Sequence, residues 1–239
     1  YPDDCIVDFD MCLIDLFKEM DKKKLTLKMQ IRQEYYRVKE LLDGKRPSRM
    51  DLFTYMDDEI YRICVSGSHA KENPFEHYLD FLYELGELSE DEQKLYAGIG
   101  REFIQTIETT EMQKVYKMPI LYSFYNHGNI RLAVTDEEVL ESWKEFFDTG
   151  TNWKDFPNVN TYEDYKKVTD KQHLSKAKRM PIRFLKASGK GFFVEKDGYA
   201  LALRNEIGDV VGNMAFGEQM GDVLGYRSLE YYRRRYEKK

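Results

Sequence analysis

Cysteine is scarce in this 239-residue chain. Its three residues, Cys5, Cys12 and Cys64, are few and odd in number, which argues against a secreted disulfide scaffold. A reducing, cytoplasmic setting suits such a chain. No apolar run approaches the roughly 18 residues of a membrane span, so a transmembrane helix is not expected. Histidine is almost as rare. His69, His77, His127 and His173 stand at no ligand spacing from one another or from a cysteine, and no structural zinc is expected. Positive charge is not in excess: the net charge of −6 argues against a surface built throughout for nucleic acid. Any such contact must come from a local patch. What is present in quantity is core material. Hydrophobic residues make up 42% of the chain and aromatics 14%, which excludes disorder throughout.

Catalytic motifs are missing as well. There is no GxxxxGK[ST] phosphate loop and no GxSxG nucleophile turn. Asp57-Asp58-Glu59-Ile60 has the letters of an acidic helicase box, but such a box follows a buried strand. The residues ahead of it, Phe53-Thr54-Tyr55-Met56, follow a helical pattern. The acidic run therefore reads as a helix start that complements the helix dipole. No catalytic residue, metal ligand or cofactor site is expected in this chain.

The fold class expected is mainly α with a small β component (α+β). Cys5-Ile6-Val7-Asp8-Phe9 reads as a short strand, and a chain that opens on it at Tyr1 is expected to be a segment of a longer polypeptide. Helical stripes follow at residues 11–20, 25–42 and 57–64, with a stop at Gly44. Asn73-Pro74 reads as a helix start, and the capping box of Ser89 and Glu92 opens a helix that runs through Gly98 and Gly100 to Ile107. The domains expected are a helical one at residues 1–110 and an α+β one, with a C-terminal helix, at residues 111–239.

The second domain has its own punctuation. A helix over 116–125 ends at Gly128, a strand follows over 129–134, and Thr135 with Glu138 caps a helix carrying Val139, Trp143, Phe146 and Phe147. A long polar connection at 149–164 leads to a helix over 171–187, broken at Pro181. Residues 189–203 form a hairpin that turns at Lys196-Asp197-Gly198. A short helix at 218–224 and a last one from Ser228 complete the chain. Helix, strand, helix, helix, hairpin is the order of a winged helix, with 176–186 as its recognition helix. A generic helix-rich α+β domain gives the same string.

Charge placement is the strongest physical signal. Residues 166–190 contain nine cations and a single anion, Asp170. That segment carries +8 in a chain of −6, which leaves −14 on the remainder. Lys176, Arg179, Arg183 and Lys186 follow helical spacing and share one face if the helix continues through Pro181. With Lys178 and Lys190 they are the candidate nucleic-acid-binding residues: such a face can contact successive phosphates. A second basic run, Arg227 and Arg233-Arg234-Arg235 with Lys238 and Lys239, is interleaved with Tyr226, Tyr231, Tyr232 and Tyr236. Tyrosines so placed can stack on single-stranded bases, but docking of a last helix by its tyrosine face is the preferred reading. The basic turn Gly44-Lys45-Arg46-Pro47-Ser48-Arg49 reads as mainly structural.

The opening Cys5-Ile6-Val7-Asp8-Phe9-Asp10 and Leu13-Ile14-Asp15-Leu16-Phe17 resembles the segment after the helicase core in bacterial superfamily 2 helicases. So do Glu34-Tyr35-Tyr36-Arg37-Val38-Lys39-Glu40-Leu41, Arg46-Pro47-Ser48-Arg49, Lys117-Met118-Pro119-Ile120-Leu121 and the closing Tyr226-Arg227 and Tyr231-Tyr232-Arg233-Arg234-Arg235-Tyr236. The resemblance, to DEAD/DEAH or restriction-type DNA helicases often fused to a phospholipase-D-like nuclease domain, is diffuse and spans nearly the whole chain. It implies a parent that uses ATP and Mg and moves on DNA. It implies a DNA partner, an upstream helicase core as the other partner, no membrane, and a non-catalytic accessory role for this region. A protein-interaction scaffold that docks on the motor without touching DNA is the alternative. The chain alone is expected to hydrolyse no ATP in a phosphate-release assay; turnover above blank, abolished by a substitution within this chain, would contradict that.

Overall fold

The computed structural model describes residues 25–126 and 128–237. The strand expected at Cys5–Phe9, the helix at 11–20, His127 and the last two lysines lie outside the described residues. The chain is mainly helical with small antiparallel sheets and divides into two compact units, one ending at Asn73 and the other beginning at Pro74.

The described part of the first unit holds α1 (Leu27–Leu41), α2 (Arg49–Tyr55) and α3 (Asp58–Cys64). Helix α1 buries Ile31, Tyr35 and Val38, the three- and four-residue spacing of one face. Ser48 and Asp51 form a reciprocal capping box on α2, with the Ser48 N–H donating to Asp51 at 2.8 Å. Asp57 accepts from the N–H groups of Glu59 and Ile60, so the acidic run is a helix cap as its sequence suggests. Arg49 of the basic turn is wholly buried.

The second unit contains α4 (Tyr78–Leu85), α5 (Glu90–Ala97), α6 (Ile99–Glu108) and α7 (Lys117–Phe124). These are followed by β1 (Tyr125–Asn126), β2 (Asn129–Ile130) and β3 (Ala133–Val134). Next come α8 (Asp136–Asp148), α9 (Tyr162–Lys166), α10 (Asp170–Ala177), a π turn at Lys178–Ile182, and α11 (Arg183–Ser188). The chain closes with β4 (Phe193–Val194), β5 (Leu201–Leu203) and α12 (Met214–Tyr236). Strands β1 and β2 pair as a hairpin. The other three form an antiparallel sheet in the order β3-β5-β4, with Val134 opposite Leu201 and Phe193 opposite Leu203. Helix α7, strand β3, helix α8, helices α10–α11 and then the β4–β5 hairpin, the candidate wing, follow one another with β1–β2 and α9 interposed, and β5 lies between β3 and β4.

Several expected boundaries move, each for a physical reason. The unit boundary lies at Asn73/Pro74 rather than near 110. The face of α6 buries Phe103, Ile104 and Ile107, and Phe103 packs edge-on against Phe192 at 5.4 Å and Phe216 at 5.6 Å, so α6 shares the core of the second unit. Asn73-Pro74 opens a turn, and α4 starts only at Tyr78, whose N–H donates to Glu108. The helix expected from Ser89 to Ile107 is two helices, because Gly98 adopts an extended conformation between them. The single strand expected over 129–134 is two short ones in different sheets. The polar 149–164 connection contains a 3-10 turn, Asn152–Asp155, and runs into α9; Asp155 and Phe156 are buried within it and Tyr165 just beyond it.

The two short helices expected at the C-terminus are one 23-residue helix, α12. Two of its glycines, Gly217 and Gly221, are points of close approach. A Cβ on Gly217 would stand 2.1 Å from the Gly128 carbonyl oxygen, and one on Gly221 would stand 2.6 Å from the Tyr125 hydroxyl. The β1–β2 hairpin therefore lies directly on the helix backbone. Overpacking costs about 1–3 kcal/mol, whereas alanine improves helix propensity by about 1 kcal/mol. Gly217→Ala is expected to lower the denaturant midpoint despite the better propensity, because the clash is with backbone. An unchanged or raised midpoint would show that the hairpin moves aside freely.

Candidate nucleic-acid interface

The helix pair α10–α11 is held on the core by one residue in four. Thr169 opens it with a capping box to Gln172, whose side chain accepts from the Thr169 N–H at 2.8 Å. His173, Ala177, Pro181, Ile182, Leu185 and Gly189 face inward. Pro181 does not break the helix as its sequence suggests. A π turn absorbs it: the wider turn gives the proline ring room where it would otherwise clash with the carbonyl of the preceding turn. The extra residue in that turn also rotates the second half of the helix relative to the first.

That rotation redistributes the expected cationic face. Arg179 and Arg183 are exposed, and neither takes part in an ion pair among the described residues. Lys190, just past the helix at a φ of 47°, is exposed and equally unpaired. Lys176 is half-buried, its ammonium 5.4 Å from the centre of the Tyr116 ring. Lys178 pairs with Asp136 of α8 at 2.6 Å, and Lys186 pairs with Glu195 at the base of the wing. The stripe of four therefore has two outward members and two that brace the fold. Lys166 and Lys167 pair with Glu163 and Asp164 on their own helix.

Two outward features were not visible in the charge pattern. Met180 and Phe184 are exposed one helical turn apart beside the arginines, and the Arg183 guanidinium lies 5.8 Å from the Phe184 ring centre. The wing turns at Gly198, φ 81°, and presents Tyr199 with Lys196 at 5.0 Å from its ring. The four-residue spacing of Met180 and Phe184 was the available signal, because the buried face is already filled by Pro181, Ile182 and Leu185.

The second basic run is engaged with the protein. Tyr226 and Tyr231 are buried, Arg235 pairs with Asp155, Arg234 with Glu230 and Arg233 with Glu237. This is the docked arrangement, with the last helix packed by its tyrosines. Among the described residues no group of three or more His, Cys, Asp or Glu is placed to hold a metal ion. No helix among them is long and apolar enough to cross a membrane. No protein-family model, curated protein or solved structure matches the chain.

His173 is a titratable group that anchors this helix from its buried face. It lies between Phe156 and Tyr165, at 4.9 and 5.6 Å between ring centres. Burial pushes its pKa below the usual value, the Lys144 charge acts in the same direction, and Asp148 and Asp170 oppose them. The depressed folded-state pKa means that the unfolded chain takes up the proton first. The resulting stability is complete above the unfolded value of 6.5 and is lost as pH falls toward the folded value. His173→Asn is expected to show a shallower fall in melting temperature than the parent between about pH 7 and about pH 5. Parallel curves for the two proteins would contradict this.

Proposed function

We propose that this chain is the non-catalytic C-terminal accessory region of a bacterial ATP-dependent DNA helicase, and that its second unit contributes DNA binding. The observation that carries the reading is the winged-helix order of α7, β3, α8, α10–α11, β4 and β5 with Arg179, Arg183 and Lys190 outward and unpaired on or beside its third helix. In such a domain the third helix enters the major groove and the wing lies over the flanking backbone. Guanidinium groups on that helix neutralise phosphates and release counterions, so binding is salt-sensitive and tolerant of sequence. ATP, Mg and the motor chemistry belong to an upstream helicase core in this reading.

A second reading has an observation of its own. Four of the nine cations in residues 166–190, namely Lys166, Lys167, Lys178 and Lys186, are paired with carboxylates. A surface neutralised to that degree also suits a protein-interaction scaffold that docks on the helicase motor. The exposed Met180 and Phe184 would then sit at the centre of the contact.

Replacement of Arg179 and Arg183 together by alanine separates the two. For DNA binding, the double variant is expected to weaken the complex for all sequences alike and to reduce the salt slope by roughly two. The parent itself is expected to bind no tighter than about micromolar, as for non-specific contacts. Stability should change by less than about 0.5 kcal/mol, because both side chains are exposed. Unchanged affinity with an unchanged salt slope would remove this helix from DNA recognition and leave the scaffold reading.

A further inference from the structure

Away from α10–α11, a cavity of about 590 Å³ opens between α7, β1, α8 and α12. That size lies within the range of small-molecule sites. Four aromatic rings stand among its mostly polar lining residues. Tyr122 of α7 lies 6.5 Å from Tyr125 and 6.2 Å from Phe146 between ring centres, and Tyr232 of α12 lines the same space. The hairpin that carries Tyr125 lies close against the helix, the Gly128 backbone at Gly217 and the Tyr125 ring at Gly221.

The charge in the cavity has one sign in excess. Glu138, Glu141 and Glu145 follow one another at three and four residues along α8 and so share a face. Glu138 is already committed: it accepts from the Thr135 N–H at 2.8 Å and pairs with Arg131 at 3.3 Å. Glu141 and Glu145 are exposed at the cavity, and neither has a cationic partner among the described residues. Phosphates and carboxylates are repelled from such a site. A cation is attracted both by the two free carboxylates and by the negative faces of the aromatic rings.

We propose that this cavity binds a small organic cation, an alkylguanidinium or alkylammonium ion. Its alkyl chain lies against Tyr122 and Phe146, and its charged end faces Glu141 and Glu145. The site is separate from the proposed DNA-binding helix and stands whether or not that helix contacts DNA.

The test is a calorimetric and NMR titration of the chain with butylguanidinium and with butylurea, its neutral isostere. Butylguanidinium is expected to bind, to shift the resonances of α8 and of the Tyr122 and Phe146 rings, and to lose affinity with added salt. Butylurea is expected not to bind. The double variant Glu141→Gln, Glu145→Gln should reduce the affinity by about tenfold while leaving the melting temperature of the free protein unchanged. Phe146→Leu should weaken binding while keeping the wall apolar. Equal binding of butylurea, unchanged affinity in the double variant, shifts confined to other surfaces, or no binding of butylguanidinium would each overturn the proposal. Should the double variant fail to fold, the comparison of the charged and neutral ligands on the parent still decides.

Discussion

A carboxylate shielded from water must be paired, or it strongly destabilises the fold that holds it. Asp155, at the end of the Asn152–Asp155 turn, is such a group, and much of the second unit is arranged around it. Its side chain pairs with Arg235 near the end of α12 and lies 3.4 Å from the Tyr231 hydroxyl. Its backbone carbonyl accepts from the Tyr116 hydroxyl at 2.8 Å, just ahead of α7. Burial raises the Asp155 pKa, and the Arg235 charge opposes that rise. The Tyr116 phenol is pushed up to about 12, mainly by burial. One residue thus ties a polar connection to the start of α7 and to α12. The next residue, Phe156, packs on both Phe147 and His173. The anchor is therefore continuous with the helix that carries the outward arginines.

That continuity gives the proposed interface its rigidity. Lys176 braces against Tyr116, the same tyrosine that reaches Asp155. Lys178, at the start of the π turn, is fastened to α8, and Lys186, in α11, to the wing. The cations spent on these contacts are not free for a ligand, but they fix where Arg179 and Arg183 stand. A positioned helix loses less freedom on binding than a mobile one. The same economy holds at α12. Its glycines admit the hairpin, the hairpin presents Tyr125, and Tyr125 walls the acidic cavity.

Much of the fold was legible because its signals are local. The capping pairs Thr135–Glu138 and Ser89–Glu92 start helices where their spacing says they should, and Gly198 turns the wing. The succession of helices and a hairpin in the second unit was legible from those signals. What escaped depends on distant partners. The close fit at Gly217 and Gly221 has no local signal, because the hairpin that needs their missing side chains lies about ninety residues earlier. Pro181 looks like a break until the π turn accommodates it. The unit boundary was missed because Phe103 finds its partners, Phe192 and Phe216, about ninety and more residues later. At the site, the count of cations was readable but their pairing was not. Asp136 and Glu195 lie on other elements, and only folding brings them to Lys178 and Lys186.

The central claim is that the outward face of α10–α11 meets nucleic acid. Amide NMR of the chain during titration with a short DNA duplex at low salt addresses it directly, residue by residue. The account predicts that the largest shifts fall on Arg179, Met180, Arg183, Phe184 and Lys190 and on the wing around Lys196 and Tyr199, and that they fade as salt is added. Shifts that leave those residues unmoved while affecting other surfaces, or no saturable shifts at all, would contradict it.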